Sequence, residues 1–246
     1  MLIVKPYIFL PYPEIICGFS TKIGIRRKAP YFFNLSYSVG DSKEIVDTNR
    51  REFFSQLGLV EKMVSYQKQV HGSEIKEVDL SGNCGESDAL ITTRKNLGLA
   101  ISSADCPAIF IYDPEKGVIA AVHSGWRGTE KKILKKTVQK LIDDFKSNPS
   151  ELLCYIGPSI SVRNYEVGEE VATVFDNKFV KTEKKKYYLD LAGANHQMLI
   201  DSGVKSSNVQ VSALCSFEYK DLLHSYRRDG LKSGRALGII AMKELT

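Results

Sequence analysis

Apolar side chains recur along this chain with two spacings, one typical of helices and one typical of strands. Apolar residues three and four positions apart predict helices over 42–57, 129–145, 167–176 and 190–201. Ser42 and Asp190 can cap the first and last of these helices, because a short polar side chain accepts hydrogen bonds from first-turn amides. Gly58 and Gly203 follow these two helices and can end them.

Shorter apolar runs predict strands between and around these helices. They lie at 2–9, 15–20, 63–67, 74–79, 88–92, 97–102, 108–112, 118–123, 152–156, 209–214 and 236–243. Residues 118–123 show no alternation of apolar and polar side chains, as expected of a strand that is covered on both faces. Lysines 184–186 indicate an exposed loop. The mixture predicts an α/β (α+β) fold.

Size and charge narrow the classes of protein. The 246 residues are 43% apolar and 26% charged, which is enough for a sizeable core. No internal repeat or long linker interrupts the pattern, so we expect one domain over 1–246. The net charge of +5 favours solubility and suits an anionic small ligand such as phosphate. It is weak support for a nucleic-acid partner, and we expect none.

The chain also lacks the marks of a membrane or secreted protein. No run approaches the roughly 18 apolar residues that a membrane helix needs. The apolar start is interrupted by Lys5 and Pro6 and has no cleavage signal. The five cysteines are odd in number and form no Cys-x-x-Cys pair, which argues against a disulfide framework. We expect a cytoplasmic protein without a membrane partner.

Three side chains that can bind a metal stand at the ends of apolar runs. His71 and His123 each lie beside glycines, and Cys106 lies between them in the chain. Two imidazoles and a thiolate suit zinc, and a catalytic zinc keeps a fourth position open. The wide spacing argues against a zinc finger. By spacing alone, two hydrogen-bonded histidines and a buried cysteine remain an open alternative. Copper uses the same ligands, usually with an axial Met, and no methionine lies in a suitable loop.

Two further segments can bind anions. Ser124–Thr129 leads into a predicted helix, whose free amides favour anions, and Arg127 adds a fork of donors. The glycines of this segment can equally serve only to shape a turn. Near the C-terminus, Arg227 and Arg228 precede Asp229 and either line a pocket or form structural pairs. His196 and His224 are not expected to be metal ligands.

These motifs resemble a known family. The matching segments are Gly18-Phe19-Ser20-Thr21, Asn34-Leu35, Val39-Gly40-Asp41, Asn49-Arg50, Gln69-Val70-His71-Gly72, Ser87-Asp88-Ala89, Ala104-Asp105-Cys106-Pro107, His123-Ser124-Gly125-Trp126-Arg127-Gly128, Ile156-Gly157-Pro158-Ser159-Ile160, Tyr165-Glu166-Val167-Gly168 and Ser225-Tyr226-Arg227-Arg228-Asp229-Gly230. The sequence is similar to the bacterial multicopper polyphenol oxidase (laccase) domain family, now regarded as purine nucleoside phosphorylases. Lys22 and Ser124 depart from the pattern usual in that family.

The resemblance implies a fold, a metal site and an activity. The fold is a single-domain mixed β-sheet sandwich with flanking helices, of the laccase-domain or cytotoxic-necrotizing-factor-like type. His71, Cys106 and His123 bind zinc and form the catalytic centre. The substrates are purine nucleosides (adenosine, inosine and S-methyl-5′-thioadenosine) together with phosphate, and adenosine deamination is a second activity.

The motif positions also suggest substrate contacts. Arg50, Arg127 and Arg227 are the candidate anion donors, and Asn34 can hydrogen-bond ribose or base. Zinc deaminases carry a glutamate as proton shuttle, but no His-x-Glu motif occurs here, so the shuttle is unassigned. No heptad run or apolar helix face indicates an oligomer, and we expect a monomer.

Three alternatives remain open from the sequence. In a metal-free cysteine hydrolase or deamidase, Cys106 would be the nucleophile and His123 its base, which leaves His71 without a role. A copper-dependent polyphenol oxidase would use the same three ligands with Cu²⁺. A non-enzymatic binding module would turn over no nucleoside.

Overall fold

Strands and helices alternate through the part of the chain that the structure, a computed structural model, describes: residues 1–25 and 27–244. The strands are β1 (Ile3–Val4), β2 (Ile15–Ser20), β3 (Val64–Lys68), β4 (Ile75–Glu77), β5 (Gly82–Glu86), β6 (Ala89–Thr92), β7 (Gly98–Ser103), β8 (Ala108–Asp113), β9 (Val118–His123), β10 (Leu153–Ile156), β11 (Glu166–Val167), β12 (Val180–Glu183), β13 (Lys186–Leu189), β14 (Val209–Val211) and β15 (Ala236–Met242). The helices are α1 (Lys43–Gln56), α2 (Trp126–Glu130), α3 (Ile133–Phe145), α4 (Glu169–Ala172), α5 (Leu191–Asp201) and α6 (Tyr226–Asp229). None of the described helices is long and apolar enough to cross a membrane.

Two mixed six-stranded sheets form a sandwich. Their strand orders are β1-β2-β15-β7-β3-β5 and β14-β10-β8-β9-β6-β4. The core between them joins Phe19 and Leu99 of the first sheet to Phe110 and Tyr155 of the second. Helices α3 and α5 cover the outer face of the second sheet, and α1 covers that of the first. The predicted α/β sandwich with flanking helices is confirmed.

The central strand β9 confirms the interpretation of its unbroken apolar run. All six of its residues are buried. Ile119 and Ala121 point into the core between the sheets, whereas Ala120 and Val122 pack under the covering helices. The strand is therefore covered on both faces, which is why alternation of apolar and polar side chains is absent.

The predicted ends of α1 and α5 are also confirmed. Ser42 Oγ accepts a hydrogen bond from the amide of Ile45, and Asp190 accepts one from the amide of Gly193. Gly58 and Gly203 follow the two helices with φ of +71° and +94°, a conformation that glycine adopts without steric cost.

Other elements differ from the prediction. The helix expected over 129–145 is two helices, because Lys132 adopts a left-handed φ of 58° between α2 and α3. The helix expected over 167–176 is limited to α4, and the strand expected over 2–9 to β1. Lysines 184 and 185 form the exposed turn between β12 and β13, and Lys186 already belongs to β13. The polar strand β5 lacks the apolar pattern and was not predicted.

Strand pairing brings distant segments to one edge of the sandwich. In β8 and β9 the register places Ala108 opposite His123, and Cys106 lies two residues before Ala108. In β6 and β9, Ala89 lies opposite Val122, so Asp88 reaches the same edge. The loop after β3 carries His71 to this point.

Candidate metal centre and adjoining cavity

The three predicted ligands meet at one point. One ligand atom from each of His71, Cys106 and His123 lies within 4.8 Å of the other two. The imidazole rings stand nearly perpendicular, at 86°, with centroids 4.7 Å apart. His123 is buried, Cys106 is half-buried and His71 is exposed. Two nitrogen donors and one sulfur donor thus converge with one side open, an arrangement that fits a tetrahedral metal with a free position.

Asp88 ties the two histidines together. Its fully buried carboxylate lies with Oδ1 2.8 Å from Nδ1 of His123. The same oxygen accepts a hydrogen bond from the backbone amide of His71, at 3.0 Å. Oδ2 accepts hydrogen bonds from the backbone amides of Val70 and Gly72, at 3.2 and 2.6 Å. A carboxylate on the second ring nitrogen of a metal-binding histidine fixes the ring and leaves the other nitrogen for the metal.

The backbone around the site is held in uncommon conformations. His71 has φ of 57° and Asp105, which precedes Cys106, has φ of 92°. Non-glycine residues adopt such angles only where surrounding contacts impose them. For His71 those contacts are the hydrogen bonds that the backbone amides of His71 and Gly72 donate to the Asp88 carboxylate. For Asp105 they are hydrogen bonds from the Ser216 hydroxyl and the Arg227 amide to the two carboxylate oxygens.

The electrostatics favour a thiolate at Cys106. Burial raises the pKa of this thiol, but hydrogen bonds and charge from His123 and His71 outweigh burial and lower the pKa to about 6. Burial lowers the pKa of His123, and hydrogen bonds to Asp88 and Cys106 overcome that effect and raise the pKa to about 9. The thiolate is the form of cysteine that binds metal and acts as a nucleophile.

Gly125 leaves room for the ligands. A Cβ at this position would lie 3.0 Å from Sγ of Cys106 and 3.2 Å from Cδ2 of His71. It would therefore press on two of the three ligands. Gly125 stands two residues after the end of β9 and directly before α2, so the absence of a side chain leaves this space to the ligands.

A cavity of about 690 Å³ opens over the three ligands. Its aromatic lining residues are Trp126, Tyr165 and Tyr226, and its basic ones are Lys68, Arg227 and Arg235. Burial raises the pKa of Tyr165 well above its ordinary value, so its phenol stays protonated at neutral pH. The volume and the mixed aromatic and basic lining suit an aromatic ligand that carries, or binds beside, an anion.

The cavity contains one of the four predicted substrate contacts. Arg227 lines it, donates from Nη1 to the Glu166 carbonyl and stacks 5.1 Å from the Tyr165 ring. Arg127 stacks on Trp126 at 4.4 Å but is outside the lining. Its predicted role in substrate binding stays a prediction.

Asn34 and Arg50 lie outside the cavity lining, buried in the protein. Asn34 bonds the backbone of Ser36 and accepts the amide of Arg235. The Arg50 guanidinium lies between the rings of Tyr37 and Tyr66 and donates to the Leu35 carbonyl. Both side chains contact the protein: Asn34 joins two backbone segments, and Arg50 also donates to Glu61. Their predicted roles in substrate binding stay predictions, as for Arg127, and Arg227 is the one of the four that lines the cavity.

The remaining basic residues have structural contacts. Arg228 donates to three backbone carbonyls and pairs with Asp229. Of the two alternatives for this arginine, it therefore forms structural pairs. His224 is buried against the Phe33 carbonyl, and neither it nor His196 belongs to the metal cluster. Ser124 bonds Asn195 and Thr129, which gives this departure from the family pattern a structural role.

Sequence reasoning missed Asp88, Tyr165 and Arg235 as parts of this site. Asp88 and Tyr165 stand inside motifs that were recognised, but nothing local shows that they reach the cluster. Arg235 lies next to Gly234 and directly before the apolar strand β15, so it stands at one end of an apolar run, as the three ligands do. That position is the only signal that could have marked it.

Known proteins match this chain nearly end to end. A profile described as multi-copper polyphenol oxidoreductase laccase matches residues 16–243. The purine nucleoside phosphorylase YlmD of Bacillus subtilis is 33% identical, over 94% of this chain and 90% of the relative. A purine nucleoside phosphorylase of Deinococcus radiodurans is 34% identical, with coverage of 96% and 93%. The crystal structure of hypothetical protein YfiH from Bacillus licheniformis has a TM-score of 0.90 at 29% identity and covers 94% of each chain.

Proposed function

This chain belongs to the multi-copper polyphenol oxidoreductase laccase family, as its motifs predict, and on that premise we propose that it is a zinc-dependent purine nucleoside phosphorylase. The proposed substrates are adenosine, inosine and S-methyl-5′-thioadenosine, with phosphate as the second substrate. The proposal is carried by one observation: two imidazoles and a thiolate converge on the floor of a cavity with aromatic and basic walls. The names of the relatives support the reaction class.

The ligand set supports zinc as the metal. His71, Cys106 and His123 would hold it, Asp88 would orient the His123 ring, and the open side of the cluster faces the cavity. A zinc ion bound there supplies Lewis-acid stabilisation of negative charge.

The remaining side chains have roles in phosphorolysis. A phosphate oxygen forms a bond to the anomeric carbon, while the glycosidic bond breaks and its electron pair goes to the base. The base takes up the proton of the hydrogen phosphate ion, so the products are the free purine and the sugar 1-phosphate. Trp126, Tyr165 and Tyr226 each have an arginine over one face, and a purine can stack on a face that the arginine leaves free. The protonated phenol of Tyr165 can donate a hydrogen bond to the departing base. Arg227 offers positive charge to the anion.

Adenosine deamination is proposed as a second activity of the same cavity. Water adds at C6 of the purine, the amino group leaves as ammonia, and inosine is formed. The reaction needs a group that moves a proton from the water to the leaving nitrogen. That group stays unassigned in this chain.

The direct test combines metal content with product analysis. The purified protein is assayed for zinc and copper per chain and incubated with each nucleoside, with and without phosphate. We expect about one zinc per chain and release of free base only when phosphate is present. Cys106→Ala should lose zinc and base release together, whereas Cys84→Ala, on β5 outside the cavity, should keep both. Full zinc and full phosphorolysis in Cys106→Ala would contradict the proposal.

A metal-free cysteine hydrolase is the second candidate, and the lowered pKa of Cys106 beside His123 favours it. The two functions differ in their response to chelation. If the protein is a zinc-dependent phosphorylase, removal of zinc should abolish phosphorolysis. If it is a cysteine hydrolase, removal of zinc should increase hydrolysis, because the thiolate nucleophile is then free of the metal. Copper in place of zinc, with oxidation of phenols by the purified protein, would instead support a polyphenol oxidase.

A further inference from the structure

Arg235 is a half-buried cation in the cavity wall without a carboxylate partner. It lies on the lining together with His71 and Cys106. Among the described residues, no carboxylate oxygen lies within ion-pair distance, 4.0 Å, of its guanidinium. Nη1 donates to the carbonyls of Ser233 and Gly234, and no hydrogen bond to the described protein occupies Nε or Nη2. Partly burying an unpaired charge is costly, so such a group is expected to meet an anion.

The acidic groups of the cavity only partly offset the burial of this charge: burial lowers the pKa of Arg235, and the charges of Asp105 and Cys106 oppose that lowering without an ion pair to a carboxylate of the described residues. Asp105 is the one acidic residue of the lining, and its two oxygens accept hydrogen bonds from Ser216 and the Arg227 amide. The ammonium of Lys68 pairs with Glu86, which is outside the lining. The Arg235 guanidinium stacks 5.3 Å from the Tyr226 ring and has no carboxylate partner among the described residues, so an anionic ligand can pair with it.

Backbone contacts join the Arg235 segment to a segment that carries two serines of the cavity lining. The Leu35 amide donates to the Arg235 carbonyl, and Asn34 Oδ1 accepts the amides of both Arg235 and Ser36. Asn34 thus fastens the Arg235 segment to the 34–38 segment, which brings Ser36 and Ser38 to the same wall. The two hydroxyls lie 2.8 Å apart, so one donates to the other and the proton of the second is left for a ligand. A planar guanidinium and a hydroxyl donor that line one cavity are the chemistry that recognises a phosphate group.

We propose that Arg235, with Ser36 and Ser38, forms the site that holds inorganic phosphate as the second substrate. The inference rests on the proposed phosphorylase function and adds the residues that bind its co-substrate. It differs from the sequence prediction, in which Arg50, Arg127 and Arg227 were the candidate anion donors. Arg227 remains on the cavity wall, with one of its nitrogens bound to Glu166 and its guanidinium stacked on Tyr165.

The test measures phosphate binding and phosphate kinetics in the zinc-loaded protein. Inorganic phosphate is titrated calorimetrically into wild type, Arg235→Gln and the control Arg94→Gln. Arg94 is exposed, follows the far end of β6 and is outside the cavity lining. Loss of a charge-assisted contact should weaken phosphate binding roughly 10- to 100-fold in Arg235→Gln and leave the control unchanged. The KM for phosphate should rise by a similar factor, while the KM for the nucleoside changes less than about threefold.

The outcomes separate this inference from the proposed function. If wild type releases no base from any nucleoside, the phosphorylase proposal fails, and direct phosphate titration still tests the site. Phosphate binding that is equal in Arg235→Gln and wild type would overturn the inference. Adenosine 5′-monophosphate is titrated in parallel. If Arg235→Gln weakened binding of this nucleotide and not of inorganic phosphate, the inference would also be overturned, because the site would then bind the phosphate of a nucleotide. If Arg235→Gln does not fold, Arg235→Lys replaces it: loss of the planar fork should weaken phosphate binding at least threefold, and unchanged binding would overturn the inference.

Discussion

The Asp88 carboxylate lies 2.8 Å from Nδ1 of His123, and both groups are almost completely buried. The same carboxylate accepts hydrogen bonds from the backbone amides of His71 and of its two neighbours, Val70 and Gly72. Burial raises the pKa of Asp88, but hydrogen bonds from His123 and Gly72 outweigh burial, so the net pKa is lowered and the carboxyl stays ionised. One side chain thus sets the orientation of two ligands that are far apart in sequence.

Substitution of Asp88 by Asn should therefore weaken zinc binding. The amide keeps one acceptor oxygen, replaces the other with an NH₂ donor and supplies no charge to the His123 ring. Outer carboxylates of this kind are worth roughly 10- to 100-fold in metal affinity. Competition with a fluorescent chelator gives the zinc dissociation constant. Glu86→Gln is the matched control, because Glu86 is an exposed carboxylate two positions earlier in the chain. Equal affinity in Asp88→Asn and Glu86→Gln would contradict this role.

Some of this site could be predicted from the sequence because its signals are local. The ligands stand at ends of apolar runs, the two histidines with glycines nearby, and helix α1 has a serine cap and a terminal glycine. The partners of these residues are not local. His123 meets Asp88 across 35 positions and Asn34 meets Arg235 across 201, so sheet order decides both contacts. Local periodicity carries no information about sheet order.

The space at Gly125 gives a prediction about ligand geometry. A methyl group in Gly125→Ala would stand 3.0 Å from the Cys106 sulfur, closer than an unstrained contact. We expect zinc affinity and base release to fall at least tenfold, because the sulfur must shift. Gly72→Ala is the matched control at the same site, where the new Cβ meets atoms only at 3.5 Å. Zinc titration of both variants checks the difference, and a larger loss in Gly72→Ala would show that the crowding argument is wrong.

The contacts of Asn34 predict a loss of stability in Asn34→Ala. The substitution leaves the amides of Ser36 and Arg235 and the carbonyl of Ser36 without their side-chain partner. Unpaired buried groups of this kind cost about 1–3 kcal/mol each, so for three groups we expect a fall of roughly 3 kcal/mol or more in the free energy of unfolding. Urea unfolding measures this fall, with Asn83→Ala as the control. Asn83 is exposed, and its side chain accepts a hydrogen bond from the Gly85 amide. Unchanged stability with a raised nucleoside KM would instead support direct substrate contact.

The buried imidazole of His224 predicts how stability depends on pH. Burial lowers its pKa to about 4, the hydrogen bond to the Phe33 carbonyl opposes burial, and the charges of Lys22 and Arg235 add to the lowering. The pKa in the unfolded chain is about 6.5, so between these values the unfolded chain binds a proton that the folded protein does not. Stability is therefore complete above pH 6.5 and is lost as the pH falls toward 4, by up to about 3 kcal/mol.

The variant His224→Gln isolates this contribution to stability. Its amide can donate to the same carbonyl but takes up no proton, so its free energy of unfolding should fall less between pH 6.5 and 4.5 than that of wild type. Urea unfolding of the zinc-free proteins measures both curves, because metal release then adds nothing to the pH dependence. The other titrating groups are shared and cancel in the difference. Parallel curves would mean that His224 is protonated in the folded protein as readily as in the unfolded chain.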